Sequence, residues 1–133
     1  MSSLVLDTHA VVWGLLDRSR LSAAALTALE TANQGNLPVY VPAICIVEVV
    51  YLVEKGRLSN EVKNTLMAAL DSPASNLKTA PLDRDVAERV GAIPRDAVPE
   101  MPDRIIAATA AHLGLPLVSR DRRIQSAGLA IVW

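Results

Sequence analysis

Leu4-Val5-Leu6-Asp7-Thr8-His9-Ala10-Val11-Val12-Trp13 holds two apolar runs joined at a single carboxylate. The first, Ser3 to Leu6, is short and uncharged and reads as a buried strand. The second starts immediately and continues to Leu16, with Thr8 placed to cap it as a helix. The rest of the chain repeats this alternation. Ser22 caps a helix from Ala23 to about Ala32, and Gln34-Gly35-Asn36 is a turn. Pro38 to Val41 reads as a strand, and Pro42 starts a helix that stops at Gly56. Ser59 caps a helix to about Leu70, broken by Asp71-Ser72-Pro73. Leu77 to Leu82 is a strand, and Asp83 caps a helix over Arg84 to Val90. Pro94 to Pro102 is a loop, followed by a helix from Asp103 to Leu113 closed by Gly114. Leu115 to Val118 is a strand, Arg122 to Ser126 a short helix and Leu129 to Trp133 a final strand. Strands alternating with helices predict an α/β fold with a mainly parallel sheet, and 133 residues predict a single domain over 1–133.

Hydrophobic residues make up 51% and mean hydropathy is +0.30, which is high for so small a chain. No uncharged apolar run reaches the roughly 18 residues that a membrane helix needs. The excess apolar surface is therefore expected in the core or under a partner, such as a second copy of the chain. Trp13, Val49, Val50, Tyr51 and Leu52 are candidates for such a surface, with most of them expected in the core. Met1-Ser2-Ser3 leads into the first strand without a basic region or cleavage site, so no signal peptide is expected. The single Cys45 predicts a reducing, cytoplasmic setting. A net charge of −1 argues against nucleic-acid binding through bulk charge.

The carboxylates fall where carboxylates are costly. Asp7 ends the first strand, and Asp121 follows the strand Leu115 to Val118. In open parallel sheets, ligands bind at the carboxyl ends of strands, so two strands aim an acid at one edge. Glu48 is the sole charged side chain between Val39 and Val53. A helix apolar all round is normally buried, and a buried carboxylate needs a cation or a proton. Asp103 begins an otherwise apolar helix. Taken singly, Asp103, Asp121 and Asp7 also read as helix-start residues favoured by the dipole. Clustered oxygen ligands suit Mg2+ or Mn2+, and the scarcity of Cys and His disfavours zinc. His9 and His112 read as non-catalytic. A carboxylate-held Mg2+ suits phosphodiester hydrolysis.

Leu6-Asp7-Thr8-His9-Ala10-Val11-Val12-Trp13, Val41-Pro42 through Glu48, the segment Asp103 to Ala110 and the segment Gly114 to Asp121 together resemble the PIN-domain ribonucleases, in that family's order. Within it, the likeness is to VapC-type toxins of toxin–antitoxin pairs. The resemblance implies a three-layer α/β/α sandwich and a Mg2+- or Mn2+-dependent endoribonuclease. It matches Asp7, Glu48 and Asp103 to the core acids of the metal site and Asp121 to a fourth, more variable acid. Ser119 matches a supporting hydroxyl, Thr8 a residue beside the first aspartate, and Glu100 an auxiliary acid. Cys45 departs from the pattern, standing where relatives carry Ser, and a thiol is the weaker donor.

The same resemblance implies a homodimer, a cognate antitoxin and an RNA substrate, including structured RNA such as tRNA. Arg104, Arg120, Arg122 and Arg123 flank two of the acids and are candidates for phosphate contacts. Aromatic residues are 3% of the chain, with no Phe, so extensive base stacking is not expected. Two other readings share the fold: a protein- or RNA-binding module without catalysis, and an RNA-processing nuclease without an antitoxin. Dinucleotide binding is excluded, because Gly14 alone follows the first strand where a glycine-rich turn is required.

Overall fold

The computed structural model describes residues 2–133. Its centre is a five-stranded sheet in the order β3-β2-β1-β4-β5. The strands are β1 (Leu4–Leu6), β2 (Val39–Pro42), β3 (Leu77–Ala80), β4 (Leu117–Val118) and β5 (Ile131–Val132). Every pairing is parallel, Leu4 opposite Val39 and Val5 opposite Leu117 among them. The expected "mainly parallel" sheet is thus parallel throughout.

Among the described residues, seven helices surround it: α1 (Thr8–Leu16), α2 (Ala23–Gln34), α3 (Ala43–Glu54), α4 (Asn60–Asp71), α5 (Arg84–Arg89), α6 (Met101–Leu113) and α7 (Arg122–Gln125). They make the three-layer α/β/α sandwich. Packing joins α1 to α3 and α4, and α6 to α3 and α5. Two short 3-10 turns, Arg18–Arg20 and Val90–Ala92, add to the expected elements.

Local chemistry sets the helix ends. Ser22 Oγ accepts from the Ala25 amide at 3.0 Å and starts α2. Asp83 Oδ1 accepts from Val86 and starts α5. Gly114 takes φ 65°, and the Leu115 amide closes back on the Ala110 carbonyl at 3.1 Å, ending α6.

Four expectations need correction. Asp7, and not Thr8, is the N-cap of α1. Its oxygen accepts from the Thr8 amide, which frees the Thr8 hydroxyl for other use. Pro42 ends β2 and caps α3 without entering the helix. The helix α6 starts two residues before Asp103, with Pro102 inside its first turn, where the missing N–H costs nothing. Finally, α3 is not buried all round. Cys45 and Val49 are buried, but Val47 and Tyr51 are 47% and 58% exposed.

The core centres on the sheet. Leu117 and Ile106 are fully buried, and Leu117 lies opposite Val5 on one side and Ile131 on the other. Leu117→Ala is expected to lower the unfolding free energy by about 2–5 kcal/mol. Urea denaturation would show this as a lower midpoint, with the slope preserved.

Candidate active site

Strand order determines where a ligand fits. The chain leaves β1 towards β2 and β3, then crosses back to lay β4 on the other side of β1. The crevice between the carboxyl ends of β1 and β4 is therefore the topological switch point, where open parallel sheets bind ligands. Asp7 follows β1 and Ser119 follows β4, so both fall at this crevice.

Asp7 is 5% exposed and Ser119 is fully buried. Burying a carboxylate is costly without hydrogen bonds, and Asp7 has them on both oxygens. Oδ1 accepts from the Thr8 amide at 2.7 Å, and Oδ2 accepts from Ser119 Oγ at 2.6 Å. Ser119 Oγ in turn accepts from the Asp121 amide at 3.0 Å, which links the first and last acids. The Thr8 hydroxyl donates to Glu48 Oε1 at 2.6 Å and ties α1 to α3.

These groups open into a cleft of about 570 Å³ lined by Asp7, Glu48, Asp103 and Asp121. Arg120 and Arg123 line it as well, so four carboxylates face two guanidiniums, an excess of two negative charges when all the acids are ionised. Arg123 grips Asp121 with two side-chain bonds, of 3.1 and 2.9 Å, and reaches Asp103 Oδ2 at 3.8 Å.

The electrostatics follow from this arrangement. Asp103 sits in the first turn of α6, where the helix dipole favours an anion. Burial outweighs the dipole and, helped by repulsion from Asp7, Asp121 and Glu48, pushes its carboxyl up to about 6. Burial also raises Glu48, against the Thr8 hydrogen bond. Asp121 goes the other way, held below the usual carboxylate range by its bonds to Arg123.

The four acids share the cleft without forming a tight cluster of three. Among the described residues, the one trio of metal-ligating side chains with atoms within 4.8 Å of one another is Asp83, Asp85 and His112, all exposed on the surface. No three of the cleft acids bring ligand atoms that close together. A donor set of oxygens only, with an excess of two negative charges and two acids raised in pKa, fits a hard divalent cation.

Four sequence candidates lie off the cleft lining, one of them Ser119, which is buried behind Asp7. Glu100 caps α6 on the surface, and Arg122 is exposed on α7. Arg104 turns into the protein and donates to the carbonyls of Val90 and Ile93, each at 2.9 Å. Cys45 is buried and donates to the Leu6 carbonyl at 3.7 Å. It does not support Glu48, because Thr8 fills that role. Burial pushes the thiol far up. Native protein is expected to be inert to thiol-specific reagents, with its single thiol titrating only after unfolding in urea.

Sequence reasoning takes Trp13 as core or as a candidate partner surface and His9 as non-catalytic, and does not place them together on the cleft wall. His9 Nε2 accepts from the Arg120 amide at 3.0 Å, which leaves the proton on Nδ1, 3.5 Å from Asp7 Oδ2. Burial lowers the imidazole pKa against the pull of Asp7. Trp13 lies one helical turn along, 5.2 Å from His9 between ring centroids. The i, i+4 spacing of His9 and Trp13 is the signal that could have placed both on one face.

Comparison with known proteins agrees with this geometry. Residues 4–129 match the family model of the PIN domain. Ribonuclease VapC22 from Mycobacterium tuberculosis is 32% identical over 126 residues, covering 95% of this chain and 92% of that protein. A chain of a toxin–antitoxin complex from Klebsiella pneumoniae superposes with a TM-score of 0.65 at 26% identity, covering 98% of this chain and 97% of that one. A chain of VapBC2 from Rickettsia felis, solved bound to a promoter DNA fragment, gives a TM-score of 0.73 at 16% identity over 96% of each chain.

Proposed function

The chain belongs to the PIN domain family, and on that premise we propose that it is a divalent-metal-dependent endoribonuclease, the toxin of a toxin–antitoxin pair. One observation carries the reading. Four carboxylates from four separate elements converge on the switch-point cleft with an excess of two negative charges. Such an excess is costly in a folded protein unless a cation relieves it.

Asp7, Asp103, Glu48 and Asp121 are the residues that would hold Mg2+ or Mn2+. A bound ion of this kind supplies positive charge to the phosphoryl oxygens and lowers the pKa of water. The chain's own residues do the rest. Ser119 and the Thr8 amide fix the Asp7 carboxylate, and the Thr8 hydroxyl orients Glu48. Arg120 and Arg123, on the cleft wall, would bind phosphates flanking the scissile bond, with Arg122 beyond the rim. Arg104 drops out of that role, since its guanidinium is committed to two backbone carbonyls.

The proposal treats residues 1–133 as one domain, acting in the cytoplasm as a homodimer with a cognate antitoxin. No helix among the described residues is long and apolar enough to cross a membrane. The exposed Val47 and Tyr51 give α3 an apolar face for one of these partners to cover. The Klebsiella relative, a chain of a toxin–antitoxin complex, favours the antitoxin.

The test is cleavage of total RNA by purified protein with Mg2+, with Mn2+ and with EDTA. Metal-dependent cleavage is expected. Folded protein that neither cleaves nor gains thermal stability from metal would sink the proposal and favour a binding module.

A further inference from the structure

The chain has two tryptophans in 133 residues, and they meet at the mouth of the cleft. Trp13, on α1, and Trp133, the last residue, have ring centroids 6.0 Å apart. The His9 ring packs against both, at 5.2 and 5.4 Å. Two guanidiniums face the Trp13 ring, Arg120 at 4.7 Å and Arg20 at 5.7 Å from its centroid. Trp13 itself is half-buried and lines the same cleft as the four acids.

A cluster that served packing alone would bury its rings and leave cations out. Here the ring keeps exposed area, opens onto the cleft, and is overlaid by solvent-exposed arginines. The Arg20 side chain is 64% exposed, and Arg120 is exposed. We propose that Trp13 and Arg120 form a nucleobase subsite that stacks one unpaired base of the RNA next to the scissile phosphate. The inference rests on the ribonuclease reading above.

The placement favours a nucleotide over other flat ligands. His9 touches Asp7 at 3.5 Å on one side and Trp13 on the other, so the stacking face lies one ring away from the acids. A strand with a phosphate at the acids brings its neighbouring base to Trp13. Every base has a π-face, so stacking of this kind is tolerant of sequence. A guanidinium resting on an indole can lift, admit the base beneath it, and cover the base's second face. Arg20 supplies positive charge for the next phosphate. Because only Trp13 and Trp133 are available, the subsite holds one base, and that base must be unpaired for its faces to be free.

The test uses the full chain carrying Asp7→Asn, which keeps the RNA intact, and short single-stranded oligoribonucleotides in Mg2+. With Trp133→Phe added, Trp13 is the sole tryptophan, and RNA binding is expected to quench its emission under tryptophan-selective excitation. Trp13→Leu keeps apolar volume and removes the π-face. It is expected to weaken binding about tenfold or more. An abasic site at the stacked position should weaken binding to Trp13-containing protein by a similar factor and have little effect on Trp13→Leu. Binding with unquenched Trp13 and no penalty from Trp13→Leu or any abasic site overturns the subsite and leaves the nuclease reading standing. Absence of any RNA binding, by this protein and by the parent, overturns both.

Discussion

Asp7→Asn is expected to abolish metal-dependent RNA cleavage while leaving the metal-free protein as stable as the parent, or more so. The substitution keeps the shape of the side chain. Asn can still accept from the Thr8 amide on one side, and the Ser119 hydroxyl can turn to accept on the other. What disappears is the charge. Asp7 is 5% exposed and repels both Asp103 and Glu48, so its neutralisation relieves that repulsion in metal-free protein. It also removes one of the residues proposed to hold the cation. Loss of an outer-shell partner already costs about 10–100-fold in metal affinity or activity, and a direct ligand should cost more. Activity lost together with an unchanged or raised melting temperature is a signature that misfolding cannot produce. Retained cleavage in Asp7→Asn would remove this carboxylate from the mechanism.

The second large effect concerns pH and metal together. In the folded protein Asp103 is pushed up to about 6 by burial and its acidic neighbours, above the ordinary aspartate value of 3.8. Between those values the native state binds more protons than the unfolded chain, so metal-free stability falls as pH rises from about 4 to about 6. Glu48 shifts in the same direction and adds to the trend. Asp121, held low by Arg123, has the opposite sign. Its contribution is present above the ordinary carboxylate pKa and is lost only as pH falls below it. A divalent cation competes with protons for Asp103 and Glu48. Mn2+ is therefore expected to raise the melting temperature strongly at pH 7.5 and weakly at pH 5, with about 2.7 kcal/mol available at a hundredfold excess over Kd. Equal stabilisation at both values would disconnect these acids from metal binding.

Much of this was legible in the residues, for physical reasons that differ from one to the next. Asp7 was visible because a carboxylate at the end of an apolar strand is costly, and the switch-point rule says what such a position is for. Glu48 was visible through isolation, as the sole charge in a long apolar segment. The same pattern misjudged α3 itself. Hydropathy reports that a face avoids water without saying whether its own chain covers it, and Val47 and Tyr51 remain exposed.

Other features depended on geometry that spacing does not carry. Moving the start of α1 by one residue turns Thr8 from a cap into the partner of Glu48, forty residues away. Arg104 follows Asp103 directly, yet the helix turns it towards Val90 and Ile93. The meeting of Trp13 with Trp133 needed the whole sheet to be assembled first, since nothing near either residue refers to the other.

The hydrogen bonds from Ser119 to Asp7 and from the Asp121 amide to Ser119 join segments 112 residues apart. Synthesis makes the Asp7 segment first, so the nascent protein carries Asp7, Glu48 and Asp103 well before the strand that organises them has left the ribosome. A translation product that stops short of residue 119 leaves Asp7 without its buried donor and lacks Asp121 altogether. In a protein proposed to cut RNA, the acid site is therefore assembled only once residue 121 has been made and β4 has joined β1.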